Sequence, residues 1–154
     1  MLERGARTGT GRTLSYLAFD FGTRRVGVAS GNTLLKSATP MKTIAAEGDA
    51  RFAAIASLIR EWQPDELVVG VPFHPDGNEH DNTQRARRFA RQLNGRFNLP
   101  VHEVDERYST TEALSLAADA EFGMVRSSDA DATAAAIILN QYLRTLPEAP
   151  DAAA

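Results

Sequence analysis

A chain of 154 residues, 43% apolar and 24% charged, suffices for one compact domain and is too rich in apolar side chains for a disordered one. The absence of cysteine excludes disulfides, thiolate metal sites and cysteine nucleophiles. A formal net charge of −3 argues against indiscriminate nucleic-acid binding. Yet fifteen of the seventeen cations are arginine, the better planar donor to phosphate, although a GC-rich genome would also enrich arginine and alanine.

Residues 1–13 are polar, rich in Gly, Arg and Thr, and read as a flexible tail. Their basic residues lead into no apolar segment of the secretory kind and no run reaches membrane-span length, so a cytoplasmic protein is expected. Leu14 to Phe21 has β character, and Arg25 to Ser30 is a second such run beyond the tight connection Gly22-Thr23-Arg24, which suggests a hairpin. A weaker third strand is expected around Pro40 to Ile44. Phe52, Ile55, Ile59 and Trp62 then recur at helical spacing until Gln63-Pro64.

Leu67 to Val71 is a continuous apolar strand of the kind buried on both faces. After a turn-rich loop, Pro72 to Asn82, the run Asp81-Asn82-Thr83-Gln84 resembles a capping box. Ala86, Phe89, Ala90, Leu93 and Phe97 continue it as an amphipathic helix. Arg87, Arg88 and Arg91 fall on its opposite face, where a solvated surface competes with a nucleic-acid contact. Pro100 to Asp105 is another strand, and Ser109-Thr110-Thr111-Glu112 opens a short helix. Residues 119–130 read as a polar loop, the last helix runs to about Leu146, and residues 147–154 form a second flexible tail.

Three strands joined by short turns, then strands alternating with helices, predict an α/β domain over residues 14–146. Its five-stranded mixed sheet has the first three strands antiparallel and the last two parallel to the first. In such sheets ligands sit beyond the carboxyl ends of the parallel strands. Asp20 lies near that end of the first strand, and Asp105 and Glu106 near that end of the last. Strand alternation sends Asp105 and Glu106 to opposite faces, so one of them binds metal directly, and the sequence leaves open which.

Asp131, Ala135, Ile138 and Tyr142 share a helix face, which turns Asp131 toward the sheet at the helix's first turn, where the dipole favours an anion. Capping the helix start is the simpler role for it, one that Asp129 can fill instead. A cluster of carboxylates is costly without a cation, and hard oxygen donors favour Mg²⁺ or Mn²⁺ over Zn²⁺. Two such ions can activate water on a phosphodiester. Thr23, Arg24, Arg25, Arg107 and Ser109 supply donors beside the acids suited to a phosphate backbone.

The segments LAFDFGTRRVGVA, EWQPDELVVGVPFHPDGNE, TQRARRFARQL, DERYSTTEA and DADATAAAIIL stand in one order over about residues 14–143. Together they resemble the YqgF (RuvX) family of Holliday-junction-resolvase-like nucleases implicated in maturing 16S ribosomal RNA ends. The resemblance implies an RNase H-like fold and a two-metal nuclease of the bacterial cytoplasm, with Asp20, Glu106 and Asp131 catalytic and Asp105 beside them. Cleavage would leave 5′-phosphate and 3′-hydroxyl ends.

Structured RNA, pre-ribosomal particles and branched DNA are the implied partners, with no membrane, and the chain acts as a monomer or homodimer. Related resolvases carry their second acid on the fourth strand. Here that strand reads LVVGVP and has none. His74 and His80, in the loop after it, read as exposed polar residues. Two other classes compete: a ribosome-assembly factor that binds nucleic acid without turnover, and an ATP-binding protein of the actin and sugar-kinase type.

Overall fold

The computed structural model describes residues 13–106 and 130–147. Five strands form one sheet: β1 (Ser15–Phe21), β2 (Val26–Asn32), β3 (Ser37–Ile44), β4 (Glu66–Val71) and β5 (Val101–Asp105). Their spatial order is β3-β2-β1-β4-β5. β1 pairs antiparallel with β2 and parallel with β4, while β2–β3 is antiparallel and β4–β5 parallel, as the sequence predicts.

Among the described residues three helices cover the sheet: α1 (Gly48–Trp62), α2 (Thr83–Phe97) and α3 (Ala130–Thr145). Period-two alternation along β1 makes two cores. Leu17 and Phe19 pack with Val26, Val28, Leu67 and Val69 beneath Ile55 of α1 and Phe89 and Leu93 of α2. Tyr16 and Ala18 pack with Ala29 and Val68 beneath Ala135, Ile138 and Leu139 of α3. The small buried residues Ala132, Ala135 and Ala136 let α3 lie close against the strands.

Three local expectations need correction. β3 begins at Ser37, before Pro40, because it is the sheet's edge and its register with β2 slips between Val28 and Ala29. A proline lacking its N–H is tolerated at such an edge bulge. Leu58, not Trp62, completes the buried face of α1. Trp62 is 48% exposed because the helix stops there, at a left-handed Gln63 (φ 47°), before the chain turns into β4.

The expected capping box at residues 81–84 does not form, since Asn82 makes no side-chain cap. Thr83 is instead fully buried and ties the preceding loop together. Its hydroxyl accepts the His80 N–H at 2.7 Å and donates to the Pro72 carbonyl.

The edge strand is secured by α3, where the buried Asn140 Oδ1 accepts the Ala38 N–H at 2.9 Å. Asn140→Ala should leave that N–H without its acceptor and cost about 1–3 kcal/mol, measurable by urea denaturation. An unchanged midpoint would show that water replaces the amide.

Candidate active site

Asp20 stands opposite Gly27 on β2 and opposite Gly70 on β4, so a glycine flanks it on each neighbouring strand. All three positions face α3, on the side of Ala18, Ala29 and Val68. Neither glycine has space for a side chain. A Cβ on Gly27 would overlap the backbone carbonyl of Asp131, where the first turn of α3 presses on β2. A Cβ on Gly70 would meet Glu106 Oε2 at 2.5 Å and collide with Ile138 Cδ1. The gap at Gly70 thus admits the Glu106 carboxylate and the gap at Gly27 the backbone of Asp131, one on each side of Asp20.

Glu106 immediately follows β5 and reaches back over β4. Its carboxylate lies where a side chain of the fourth strand would otherwise sit, which explains how a strand reading LVVGV can lack an acid. The register places Asp105 beside Val71, on the face of α1 and α2. Of the adjacent pair, Glu106 is therefore the one that joins Asp20.

Asp20 holds its proton well above the usual aspartate range. Burial is the main cause, followed by the charges of Glu106 and Asp131 and by its hydrogen bond with Glu106. Glu106 is also raised, chiefly by burial and by the charge of Asp105, while the same hydrogen bond opposes the shift. A protonated Asp20 donating to a Glu106 carboxylate accounts for both directions.

Asp131 is the third acid. Arg25 Nε, from the β1–β2 turn, stands 2.9 Å from Asp131 Oδ2, with the two side chains 60% and 26% exposed. That oxygen is shielded from water, and no hydrogen-bond donor is aligned on it among the described residues. An Asp131 oxygen paired with Arg25, beside the buried Asp20–Glu106 pair, is the hard-donor chemistry that suits a divalent cation. The arrangement is nonetheless not a formed metal centre. Among the described residues no three acidic or histidine side chains are gathered to hold an ion. Asp20 turns to Glu106, and Asp131 turns to Arg25.

The other predicted site residues divide by location. Thr23, Arg24 and Arg25 occupy the exposed β1–β2 turn beside the acids. Arg107 and Ser109 lie outside the described residues. Arg87, Arg88 and Arg91 belong to α2, on the far side of the sheet from the carboxylates. Arg87 is engaged locally, 3.5 Å from Glu103, 3.8 Å from Glu79 and stacked over Phe73.

The His74 and His80 rings lie 5.1 Å apart in the loop after β4, where His80 Nδ1 accepts the Asn82 N–H. Sequence reasoning missed Gly70 as the seat of Glu106, although a glycine inside an otherwise bulky apolar strand was the available signal.

A model of the RuvX family, described as Holliday junction resolvase, matches residues 14–145. The chain belongs to the RuvX family. Among its relatives, a protein of Albidiferax ferrireducens named, provisionally, a pre-16S rRNA nuclease is 64% identical over 132 residues. That match covers 86% of this chain and 79% of the relative. A Polaromonas protein with the same provisional name is 62% identical over 133 residues, covering 86% and 90% of the two chains.

Among solved structures, Thermus thermophilus RuvC in complex with a Holliday junction substrate superposes with a TM-score of 0.56 at 15% identity. The alignment covers 86% of this chain and 94% of that one. At that identity the likeness establishes the RNase H-like fold shared by this RuvX member and RuvC. No helix among the described residues is long and apolar enough to cross a membrane.

Proposed function

We propose that this chain is a divalent-metal endonuclease acting on structured RNA, trimming the ends of pre-16S rRNA, with Asp20, Glu106 and Asp131 as its working carboxylates. Its coarser activity, a nuclease hydrolysing phosphodiester bonds, follows from membership of the RuvX family and from the relatives' names. The observation that carries the finer reading is the row Gly27–Asp20–Gly70, whose two vacant positions admit the backbone of Asp131 and the carboxylate of Glu106.

Asp20, Glu106 and Asp131 are the residues that would hold Mg²⁺ or Mn²⁺ ions. Bound there, such ions supply an activated water and neutralise charge on the leaving oxygen. Arg24 and Arg25 position the phosphate backbone from the turn, and Arg107 does so from beyond β5. Arg25 also pairs with Asp131, so it is a positioning residue for the acid as well as for the strand.

The test is incubation of purified protein with a 16S precursor carrying extended ends and, in parallel, a four-way DNA junction. Each is run with Mn²⁺, with Mg²⁺ and with a chelator. Cleavage of the precursor only when metal is present is expected. Equal cleavage in the chelator would sink metal dependence, and exclusive cutting of the junction would move the substrate from RNA to branched DNA. A junction resolvase needs paired active sites, so the solution mass should then be that of a dimer.

A further inference from the structure

Behind the carboxylates, on the α1/α2 face of the sheet, lies a cavity of about 250 Å³. Arg51, Arg85 and Arg88 line it together with Phe21, Phe52 and Phe89, and among the described residues no acidic side chain does. Three guanidinium groups around one hollow are unexpected in a chain of net charge −3.

Arg51 is the fixed member, only 5% exposed. Its Nε donates to the Ala46 carbonyl at 2.8 Å and its Nη2 to the Thr23 carbonyl at 3.1 Å, and its guanidinium lies 5.5 Å from the centre of the Phe21 ring. No carboxylate stands within ion-pair distance of it among the described residues. Burial disfavours this cation more than the nearby charge of Glu47 supports it, and an incoming anion would offset that cost.

Arg85 is steadied by neutral acceptors, Asn82 Oδ1 at 3.1 Å and the Asp81 carbonyl at 3.5 Å, which leave its charge uncompensated. Gly48, the first residue of α1, also borders the cavity, and no side chain caps that helix start.

The position of the cavity is as telling as its charge. Phe21 directly follows Asp20 on β1, and the Thr23 carbonyl that holds Arg51 belongs to the same turn as Arg25. The carboxylates and the cavity thus occupy opposite faces at one end of one strand, separated by about one sheet layer, roughly 10 Å. A single strand crossing the β1–β2 turn would meet both.

We infer that this cavity holds a backbone phosphate of the RNA strand whose scissile phosphodiester, further along the same strand, lies at the carboxylates, an inference that rests on the nuclease reading. It is a substrate-strand subsite that sets where the strand is gripped relative to where it is cut. Guanidinium forks suit phosphate oxygens without reading the base, so grip there is independent of sequence.

The test uses the full chain with Arg85→Gln and Arg88→Gln combined, both exposed positions. Its control is Arg60→Gln with Arg144→Gln, an equal charge change at the far ends of α1 and α3. Binding of a fluorescent single-stranded RNA nonamer is followed by anisotropy in EDTA across a salt series, with the fold checked by circular dichroism. The cavity variant should bind about tenfold more weakly, and its salt slope should flatten by about 0.7 for each phosphate no longer neutralised. The control should keep both within twofold.

With Mn²⁺, KM for cleavage should rise in the cavity variant while kcat holds. Equal weakening in the control, or unchanged binding in the cavity variant, would overturn the subsite while leaving the nuclease reading intact. Adenosine monophosphate binding as tightly as the nonamer would make the cavity a mononucleotide pocket and also overturn it. A wild-type chain that binds the nonamer but never cuts RNA would sink the nuclease reading and, with it, the assignment of the cavity to a cleaved strand.

Discussion

Asp20→Asn is expected to abolish cleavage and, in the absence of metal, to make the protein more stable at neutral pH. The loss of activity follows from the central place of Asp20 between Glu106 and Asp131, and should reach at least about a hundredfold, or ~2.7 kcal/mol in the barrier. The gain in stability follows from the direction of its pKa. Burial and two neighbouring carboxylates raise it in the folded protein, so the fold favours the protonated acid relative to the unfolded chain. That favourable contribution is complete below the ordinary aspartate value of about 3.9 and is lost as pH rises through the raised folded value.

Asparagine keeps the shape, offers Glu106 an N–H donor and carries no charge to bury. Melting curves in a chelator should therefore coincide near pH 4 and separate toward pH 7, with the variant the more stable. Added Mn²⁺ should reverse the order by stabilising the wild type alone. A variant that melts below the wild type at pH 7 in chelator would show that the acids are not strained against one another. The proposed centre would then lose its main electrostatic support.

The second large effect is expected from the flanking glycines, and the two should fail differently. At Gly27 a methyl group would meet backbone, the Asp131 carbonyl and the Ala132 amide. Backbone cannot rotate aside, so Gly27→Ala must lift the start of α3 from β2. The cost should be about 3 kcal/mol or more, at the upper end of overpacking effects. At Gly70 the obstacles are side-chain ends, Glu106 Oε2 and Ile138 Cδ1, which have some freedom to move.

Gly70→Ala should therefore cost only about 1–3 kcal/mol in stability, yet it should evict the Glu106 carboxylate and lose most cleavage. Urea denaturation beside an activity assay separates the two outcomes. A Gly70→Ala chain with wild-type cleavage would remove Glu106 from the catalytic set.

Much of this architecture is legible in the linear chain because it depends on local periodicity. The alternation of Leu17, Ala18 and Phe19 and the unbroken run of Leu67 to Val71 declare strands whichever partner they find. The hairpin at Gly22 to Arg24 follows from turn chemistry, and the inward face of Asp131, Ala135 and Ile138 from helical spacing. Such reasoning fails where an element ends or meets its neighbour. The exposure of Trp62 depends on where α1 stops. The buried Thr83 depends on a loop carbonyl eleven residues away, at Pro72. Neither is visible in a single window of residues.

The sequence by itself determined the order of strands and helices among the described residues, the mixed sheet, and three acids borne on segments that such a sheet draws toward one end; the helix expected from Ser109 lies outside the described residues. Its motifs also resembled the family to which the chain proves to belong. Tertiary structure alone brought Glu106 rather than Asp105 beside Asp20, seated Glu106 in the space left by Gly70, set Arg25 against Asp131, and placed Arg88 behind the sheet rather than beside the acids. The reason is physical: periodicity fixes which way a side chain points from its own backbone, whereas register across strands fixes what it meets there. Asp20, Gly27 and Gly70 become one row only when three strands pair.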